Sequence, residues 1–495
     1  MHTIQYDTYA YRILLINFRT IIFINGVIAC SFGILMLIPL LVELFTNSGN
    51  CSYIFITSII SCLILGGIII SACKSKNFTL TRSDAFILVV LAWITSSFVS
   101  SFPFYIYHGY KLDFISAFFE SVSGITTTGA TIYKNVEILP LSLNIWRFIL
   151  HFIGGIGVIA ISLLVMPIMR IGGMQLFQIE NSDKSQKFLS KSYQVIAYFI
   201  LVYCAIILLT AIALSANGMN LVDSICYSIS AVSTGGFSNK NYDIITIHNS
   251  TIELILSVAM LFGSITIIEV VKAFKCNVFT FFKNQQIRTF LMFVLLLVFL
   301  PILFQLITDI SSLSYKKITS HTFQVISAIT TTGFDTSHNY INPKILLILF
   351  AIIGGCSGST TGGIKIFRLQ ILYAILKHHI SKLSSQNSIT FPKYNGTKID
   401  DSLTISVISY IILLVFVFVL SLIVLALFSD RSISSCCYSI CSCLFNLGYD
   451  INFYTFSIAP KCILIFDMII GRLEIIPIFV ALSQVFNSCA NILKK

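Results

Sequence analysis

The oxygen-bearing residues best placed to do chemistry lie in a short polar stretch between two apolar segments. The stretch SGITTTGATIY, residues 123–133, contains three consecutive threonines followed by Gly129 and carries no charge. Hydroxyl and backbone carbonyl oxygens of this kind can replace the water shell of a cation. A single stretch of this kind is equally compatible with an ordinary helix turn, so the rest of the chain must decide between the two.

The stretch recurs in altered form three more times along the chain. Aligned on one glycine, the four copies read SVSGITTTGAT, YSISAVSTGGF, QVISAITTTGF and YSICSCLFNLGY, and the aligned glycines are Gly129, Gly235, Gly333 and Gly448. Each copy is apolar at its start, is too short to cross a bilayer, and precedes a polar link to the next long apolar segment. This internal repetition predicts four equivalent structural units.

The composition places these units in a membrane. Hydrophobic residues make up 56% of the 495 residues and charged residues 10%, and the mean hydropathy is +0.92. A soluble chain carries about 25% charged residues. The chain is therefore predicted to be a polytopic membrane protein.

Ten apolar segments are long enough to cross the bilayer as helices. They cover approximately residues 21–45, 52–73, 85–107, 145–169, 194–216, 251–273, 289–308, 344–377, 404–428 and 456–492. The four repeated stretches, near 114–128, 221–234, 320–332 and 434–447, are predicted to enter the membrane and return. With a cytoplasmic amino terminus, this layout puts most Lys and Arg residues on the cytoplasmic side, as the positive-inside rule requires. Both termini are therefore expected in the cytoplasm.

A half-helix that ends near the bilayer centre points the negative end of its dipole inward. Four such ends would attract a cation, and glycine would let the following residues turn their carbonyl oxygens toward a common axis. The alternative is that the four stretches are ordinary helix turns whose threonines bond to their own backbone. Recurrence at matched positions favours an ion filter.

The expected fold is all-α and polytopic, with four span–pore-helix–span repeats in a pseudo-fourfold arrangement after two extra N-terminal transmembrane helices. The expected boundaries are 1–80 for the two N-terminal helices and 81–180, 181–285, 286–395 and 396–495 for the four pore repeats, the third with a broken inner helix.

Several segments resemble one family, the TrkH and KtrB potassium uptake proteins. FFESVSGITTTGAT with WRFILHFIGGIGVIAISLLVMPIMRIGGMQLFQIE is similar to the family's first repeat, STGGFS and TTTGFDT to its second and third filters, GGCSGSTTGGIKIFRL to its third inner helix and GRLEIIPIFVAL to its fourth. The likeness covers nearly the whole chain, and the extra spans before residue 80 point to the TrkH branch. One departure is NLGYD in the fourth loop, where the family usually has Asn-Val-Gly followed by Pro and Gly.

The resemblance implies potassium uptake across the bacterial cytoplasmic (inner) membrane through a pore in each subunit. It implies K⁺ ligands at Thr127, Thr128 and Gly129, at Ser233, Thr234 and Gly235, at Thr331, Thr332 and Gly333, and at Asn446, Leu447 and Gly448. It also implies a homodimer in the lipid bilayer and a cytoplasmic nucleotide-binding regulatory subunit of the TrkA type, with K⁺ as the transported ion and no organic cofactor in this chain. The net charge of +11 does not require a nucleic acid partner, because cytoplasmic loops of membrane proteins are basic.

A glycine-rich stretch within the third inner span is a candidate gate. Its candidate residues are Gly354, Gly355, Ser357, Gly358, Ser359, Thr360, Thr361, Gly362 and Gly363. Such a run lacks helix propensity and should unwind the span beneath the filter. A plain kink is the alternative.

Arg472 is a cation inside the last apolar span, where a charge costs at least about 2.5–3.5 kcal/mol at the bilayer centre. We expect it to face the pore under the filter as an electrostatic barrier to cations. The alternative is a structural ion pair with a carboxylate on another helix. His151 is expected to be a packing residue and not a metal ligand.

Two other classes of function remain open from the sequence. A secondary transporter that couples K⁺ to H⁺ or Na⁺ would bind its substrate at broken helices, although such folds usually have twofold repeats. A membrane-embedded enzyme would need converging histidines or carboxylates, and the eight histidines are scattered.

Overall fold

The computed structural model describes residues 17–46, 51–74, 81–164, 185–241, 249–275, 282–308, 314–336, 344–384, 391–449 and 452–493. Within these ranges the secondary structure is helical apart from one antiparallel hairpin, in which β1 (Lys393–Tyr394) pairs with β2 (Thr397–Lys398). The expected all-α polytopic fold is confirmed.

The helices follow the predicted repeat. The N-terminal helices are α1 (Phe18–Leu35), α2 (Leu37–Thr46) and α3 (Ser52–Cys73), and the first repeat contains α4 (Arg82–Ser100), α5 (Phe102–Ile106), α6 (Phe114–Ile125) and α7 (Leu141–Leu164). The second repeat contains α8 (Ser185–Ala216), α9 (Leu221–Val232), α10 (Ser250–Ser264) and α11 (Ile267–Lys275), and the third contains α12 (Gln285–Thr308), α13 (Tyr315–Ile329), α14 (Lys344–Ile353) and α15 (Ile366–Ser384). The fourth contains α16 (Asp401–Phe428), α17 (Ile433–Leu444), α18 (Ile458–Leu473) and α19 (Ile475–Leu493). The short helices α6, α9, α13 and α17 are called the pore helices below.

Seven helical segments in the described ranges are long and apolar enough to cross a membrane. The other three predicted spans are each divided into two helices. The break in 344–377 was predicted, but continuous helices for 251–273 and 456–492 are wrong. Ile265 has extended backbone between α10 and α11, and Glu474 has a left-handed φ of 62° between α18 and α19, so neither residue can continue a helix.

The chain forms two compact units. The first comprises Met1–Ser121, Pro140–Trp146 and Leu473–Lys495, and the second comprises Val122–Leu139 and Arg147–Arg472. All four repeated loops and the glycine-rich stretch lie in the second unit. The candidate site is therefore built within one compact body.

Helices α1 and α3 of the first unit pack through small residues. A Cβ added to Gly66 would lie 2.4 Å from the Cys30 sulfur and 2.7 Å from the carbonyl oxygen of Gly26, whereas a Cβ on the neighbouring Gly67 would meet no atom of the described part of the chain within 4 Å. Small residues allow this close backbone approach, which favours association of helices in lipid.

We expect Gly66→Ala to lower the thermal unfolding midpoint of the purified protein, because overpacking of this kind typically costs about 1–3 kcal/mol. Gly67→Ala is the matched control and should leave the midpoint unchanged or raise it slightly, since alanine favours helix by about 1 kcal/mol. Equal midpoints for the two variants would contradict the close packing of α1 on α3.

Candidate functional site

The four pore helices end in the same hydrogen-bonded turn. The N–H groups of Thr128, Gly235, Thr332 and Leu447 donate to the carbonyl oxygens of Ser123, Ser230, Ser327 and Ser442 at 2.9, 2.8, 2.8 and 2.8 Å. The preceding N–H groups of Thr127, Thr234, Thr331 and Asn446 donate three residues back, to Gly124, Ala231, Ala328 and Cys443. This pair of bonds is the Schellman motif, which ends a helix with a left-handed residue.

The left-handed residue is not glycine in any of the four turns. The φ angles of Thr127, Thr234, Thr331 and Asn446 are 49°, 52°, 55° and 52°. A β-branched residue with positive φ is a genuine outlier, and each such residue costs of order 1–3 kcal/mol. Surrounding contacts must hold the turns in this conformation, and strain of this kind clusters at functional sites.

Two residues after the left-handed residue, each turn has a glycine with positive φ. The position of this glycine corrects the sequence alignment of the second repeat. The glycines are Gly129, Gly236, Gly333 and Gly448. The sequence alignment on Gly235 is therefore wrong by one residue, and the equivalent triplet is Thr234, Gly235 and Gly236, with Ser233 one position too early. A serine six positions before each of these four glycines was the missed signal, because it is lost when Gly235 is aligned.

The four turns contact one another in a closed ring. A Cβ added to each glycine would almost touch the backbone carbonyl oxygen of a residue in the next turn. The distances are 2.3 Å from Gly129 to Gly235, 1.9 Å from Gly236 to Thr332, 1.7 Å from Gly333 to Leu447, and 1.9 Å from Gly448 to Thr128. Each glycine thus packs against the carbonyl oxygen of the next repeat, and the fourth repeat closes onto the first. All four glycines also line one cavity of about 150 Å³.

The carbonyl oxygens of this ring belong to Thr128, Gly235, Thr332 and Leu447. Across the ranges that the structure describes, none of these four oxygens accepts a hydrogen bond. Buried backbone carbonyls are almost always paired with a donor. Four unpaired oxygens in a ring are suited to a dehydrated monovalent cation, which would supply the missing interaction.

Hydrogen bonds of side chains stabilise three of the turns. The hydroxyls of Thr126 and Thr128 lie 2.7 Å apart, and those of Thr330 and Thr332 lie 2.8 Å apart. In the fourth turn the Asn446 amide donates to the Thr128 hydroxyl at 2.9 Å and to the Met468 carbonyl at 3.0 Å. The asparagine that replaces threonine there therefore ties the fourth turn to the first.

The unusual fourth loop retains the turn. Gly448 has a φ of 64°, and the buried Tyr449 packs with Leu447, Ala328 and Leu347. Asp450, the other unusual residue, lies outside the described residues.

Glycines on three inner helices allow the pore helices to approach closely, a feature that the sequence analysis missed. A Cβ on Gly154, Gly263 or Gly471 would lie 2.0, 2.4 or 2.1 Å from the carbonyl oxygen of Ile125, Val232 or Leu444, respectively. These oxygens belong to the last residues of α6, α9 and α17. Each inner helix therefore packs directly against the end of its own pore helix.

The candidate gate residues 354–363 form an excursion between α14 and α15 that packs against the ring. The Thr234 hydroxyl donates to the Thr360 carbonyl at 3.0 Å, and the N–H of Gly362 donates to the Thr331 hydroxyl at 2.8 Å. The break between α10 and α11 is part of this contact, because the carbonyls of Gly263 and Ser264 accept from Thr360 and Cys356 of the excursion.

Thr360 is the centre of these contacts. It is fully buried, its hydroxyl donates to the Gly263 carbonyl at 2.9 Å, and its carbonyl also accepts a hydrogen bond from the guanidinium of Arg472. Among the described residues Arg472 makes no ion pair, and its Nε and Nη2 atoms have no hydrogen-bond partner. The alternative of a structural ion pair is therefore not found in the described part of the chain.

Comparison with known proteins agrees with this architecture. The TrkH family, described as cation transport protein, matches residues 52–493. The chain is 31% identical over 481 residues to the Trk system potassium uptake protein TrkG of Escherichia coli K12, covering 94% of this chain and 98% of that protein. It is 31% identical over 412 residues to TrkI of Halomonas elongata, covering 81% and 83%.

The fold is also similar to that of a protein whose structure has been solved. The crystal structure of the potassium transporter TrkH from Vibrio parahaemolyticus matches with a TM-score of 0.86 at 27% identity, covering 94% of this chain and 98% of that chain. The family match and the structural match each extend over most of the chain. The chain belongs to the TrkH family of cation transport proteins.

Proposed function

We propose that this protein takes up potassium through the ring formed by its four repeated turns. The observation that carries the proposal is the closed ring of four carbonyl oxygens without hydrogen-bond donors. The relatives are named as potassium uptake proteins, which points to a transporter and not to an enzyme.

The ligands in this proposal come from the left-handed residue, the next residue and the glycine of each turn. They are Thr127, Thr128 and Gly129; Thr234, Gly235 and Gly236; Thr331, Thr332 and Gly333; and Asn446, Leu447 and Gly448. The carbonyl ends of four pore helices add a negative potential at the ring. The ion exchanges its water oxygens for carbonyl oxygens, and the braces behind the turns keep these at a fixed spacing.

In the proposed resting state, residues 354–363 and Arg472 obstruct conduction. The excursion is bonded to the second and third turns through Thr234 and Thr331. The guanidinium of Arg472, buried next to Thr360, opposes a passing cation at short range in a medium of low dielectric constant. Opening requires the excursion to release its bonds to the ring.

The assembly is part of the same proposal. A homodimer in the bacterial inner membrane, with both termini in the cytoplasm, would present α15 and the hairpin to a nucleotide-binding regulatory subunit. Because α15 directly follows the excursion, movement of α15 by such a partner could withdraw the obstruction.

Coupled transport is the competing function, and the broken inner helices favour it in one respect, because secondary transporters bind substrates at such breaks. A liposome flux assay separates the two. Downhill K⁺ movement without a gradient of a second ion is expected for the pore, and a requirement for a Na⁺ or H⁺ gradient would favour the coupled transporter.

We expect Gly333→Ser to lower the K⁺/Na⁺ permeability ratio by about tenfold, because the new Cβ would displace the Leu447 oxygen from the ring. Gly218→Ser is the matched control, since Gly218 also has a positive φ but a Cβ there would meet no atom of the described residues within 4 Å. The control should keep the native ratio. A native ratio in folded Gly333→Ser protein would argue against the ring as the filter.

Removal of the Thr360 hydroxyl should weaken the obstruction. We expect Thr360→Val to raise K⁺ flux without the regulatory partner by roughly 2- to 10-fold, because a lost hydrogen bond is worth about 0.5–1.5 kcal/mol. Ser359→Ala is the control, because among the described residues the Ser359 hydroxyl bonds only to Cys356 and Thr361, both within the excursion. Equal fluxes for both variants would count against gating by this contact.

The charge of Arg472 can be tested separately from its hydrogen bond. We expect Arg472→Gln, which keeps a donor but removes the charge, to raise K⁺ flux several-fold. Arg472→Lys keeps the charge and should leave flux near the native level. The electrostatic barrier is wrong if folded Arg472→Gln protein conducts no faster than Arg472→Lys.

A further inference from the structure

His151 lies on α7 between the first and second turns and is fully buried. Its Nδ1 atom is 2.8 Å from the carbonyl oxygen of Gly124 in the first pore helix. Its Nε2 atom is 3.2 Å from the backbone nitrogen of Phe237, which directly follows Gly236 of the second turn. One imidazole therefore joins the backbones of two neighbouring repeats.

The two partners fix the protonation of the ring. A carbonyl oxygen only accepts, so Nδ1 carries the proton, and a backbone N–H only donates, so Nε2 keeps its lone pair. The ring is therefore neutral and both nitrogens are used, which leaves no lone pair for a metal ion. The Phe237 ring stacks on it, with centroids 4.2 Å apart and an interplanar angle of 28°.

The imidazole also occupies the space in which the other turns have a side chain. A Cβ on Gly235 would lie 2.6–2.7 Å from His151 ring atoms. The residues at the position of Gly235 in the first, third and fourth turns are Thr128, Thr332 and Leu447. This contact explains why the second turn alone has two consecutive glycines.

The second turn also lacks the internal brace of the first and third turns. Those turns each have a hydroxyl pair, Thr126 with Thr128 and Thr330 with Thr332. In the second turn the corresponding positions are Ser233 and Gly235, so no such pair can form. His151, on a different helix, instead accepts a hydrogen bond from the backbone directly after the second turn. Arg147, one helical turn earlier on α7, donates a second hydrogen bond to the Ser238 carbonyl at 2.8 Å.

We propose that His151 is a positioning residue for ion selectivity: it takes the place of the missing side chain in the second turn and fixes the Gly235 oxygen in the ring. The proposal rests on the proposed function, because it concerns the selectivity of that same ring. His151 does not touch the ion and acts through the backbone of residues 235–237.

The test compares K⁺/Na⁺ permeability ratios of purified full-length variants in liposomes, with unfolding midpoints measured alongside. His151→Gln keeps a neutral donor and acceptor and should stay within about twofold of the native ratio. His151→Ala removes both bonds and should lower the ratio by about tenfold, the effect of roughly two hydrogen bonds. A native ratio for His151→Ala, or an equal loss for His151→Gln and His151→Ala, overturns the proposal.

Gly235→Ala provides a second arm in which the His151 side chain is intact. Its methyl group would lie within 2.7 Å of the imidazole and must displace it, so the ratio should fall although both hydrogen-bonding groups of His151 are still present. An unchanged ratio in Gly235→Ala overturns the assignment of His151. A native protein without preference for K⁺ would instead overturn the proposed function.

Discussion

Backbone carbonyl oxygens inside a membrane need a hydrogen-bond donor or an ion, and the arrangement of the turns and broken helices in the second compact unit follows from this requirement. Helical carbonyls are paired within their helices, and at the break after Ser264 the carbonyls of Gly263 and Ser264 are paired with the excursion from the third repeat. The oxygens of Thr128, Gly235, Thr332 and Leu447 remain without a donor in the described residues. Because water is absent from hydrocarbon, such oxygens persist only where protein, trapped water or a permeating ion meets them.

The geometry of the ring is maintained against local strain. Threonine and asparagine at left-handed positions are unfavourable by of order 1–3 kcal/mol each, yet their side chains do what glycine could not. Thr234 and Thr331 bind the excursion, and Asn446 joins the fourth turn to the first. The same residues therefore shape the ring and connect it to residues 354–363, so the excursion cannot leave its position without breaking hydrogen bonds to the second and third turns.

The sequence predicted the repeat, the membrane class and three of the four turns, because these follow from local pattern and from glycine at fixed positions. The family resemblance was confirmed by the match over residues 52–493. The alignment of the second turn was wrong by one residue, because STGGF contains two adjacent glycines. Their contacts distinguish them, since Gly235 packs against His151 and Gly236 against the Thr332 carbonyl. The breaks at Ile265 and Glu474 were also missed, since hydrophobicity continues through both.

Other features depend on contacts between distant parts of the chain. Nothing near Thr360 in sequence indicates that it would meet Thr234, Gly263 and Arg472. Similarly, Gly154 and Gly263 appear in apolar helices as ordinary small residues until the pore helices are placed against them. The dimer and the regulatory subunit remain predictions.

The central claim is that one ring of four carbonyl oxygens binds a dehydrated potassium ion. Anomalous diffraction from crystals grown with Rb⁺ in place of K⁺ tests this directly. The account predicts an ion peak on the ring axis, at similar distances from the oxygens of Thr128, Gly235, Thr332 and Leu447. A peak coordinated mainly by other residues, or no peak at the ring in protein that takes up Rb⁺, would contradict it.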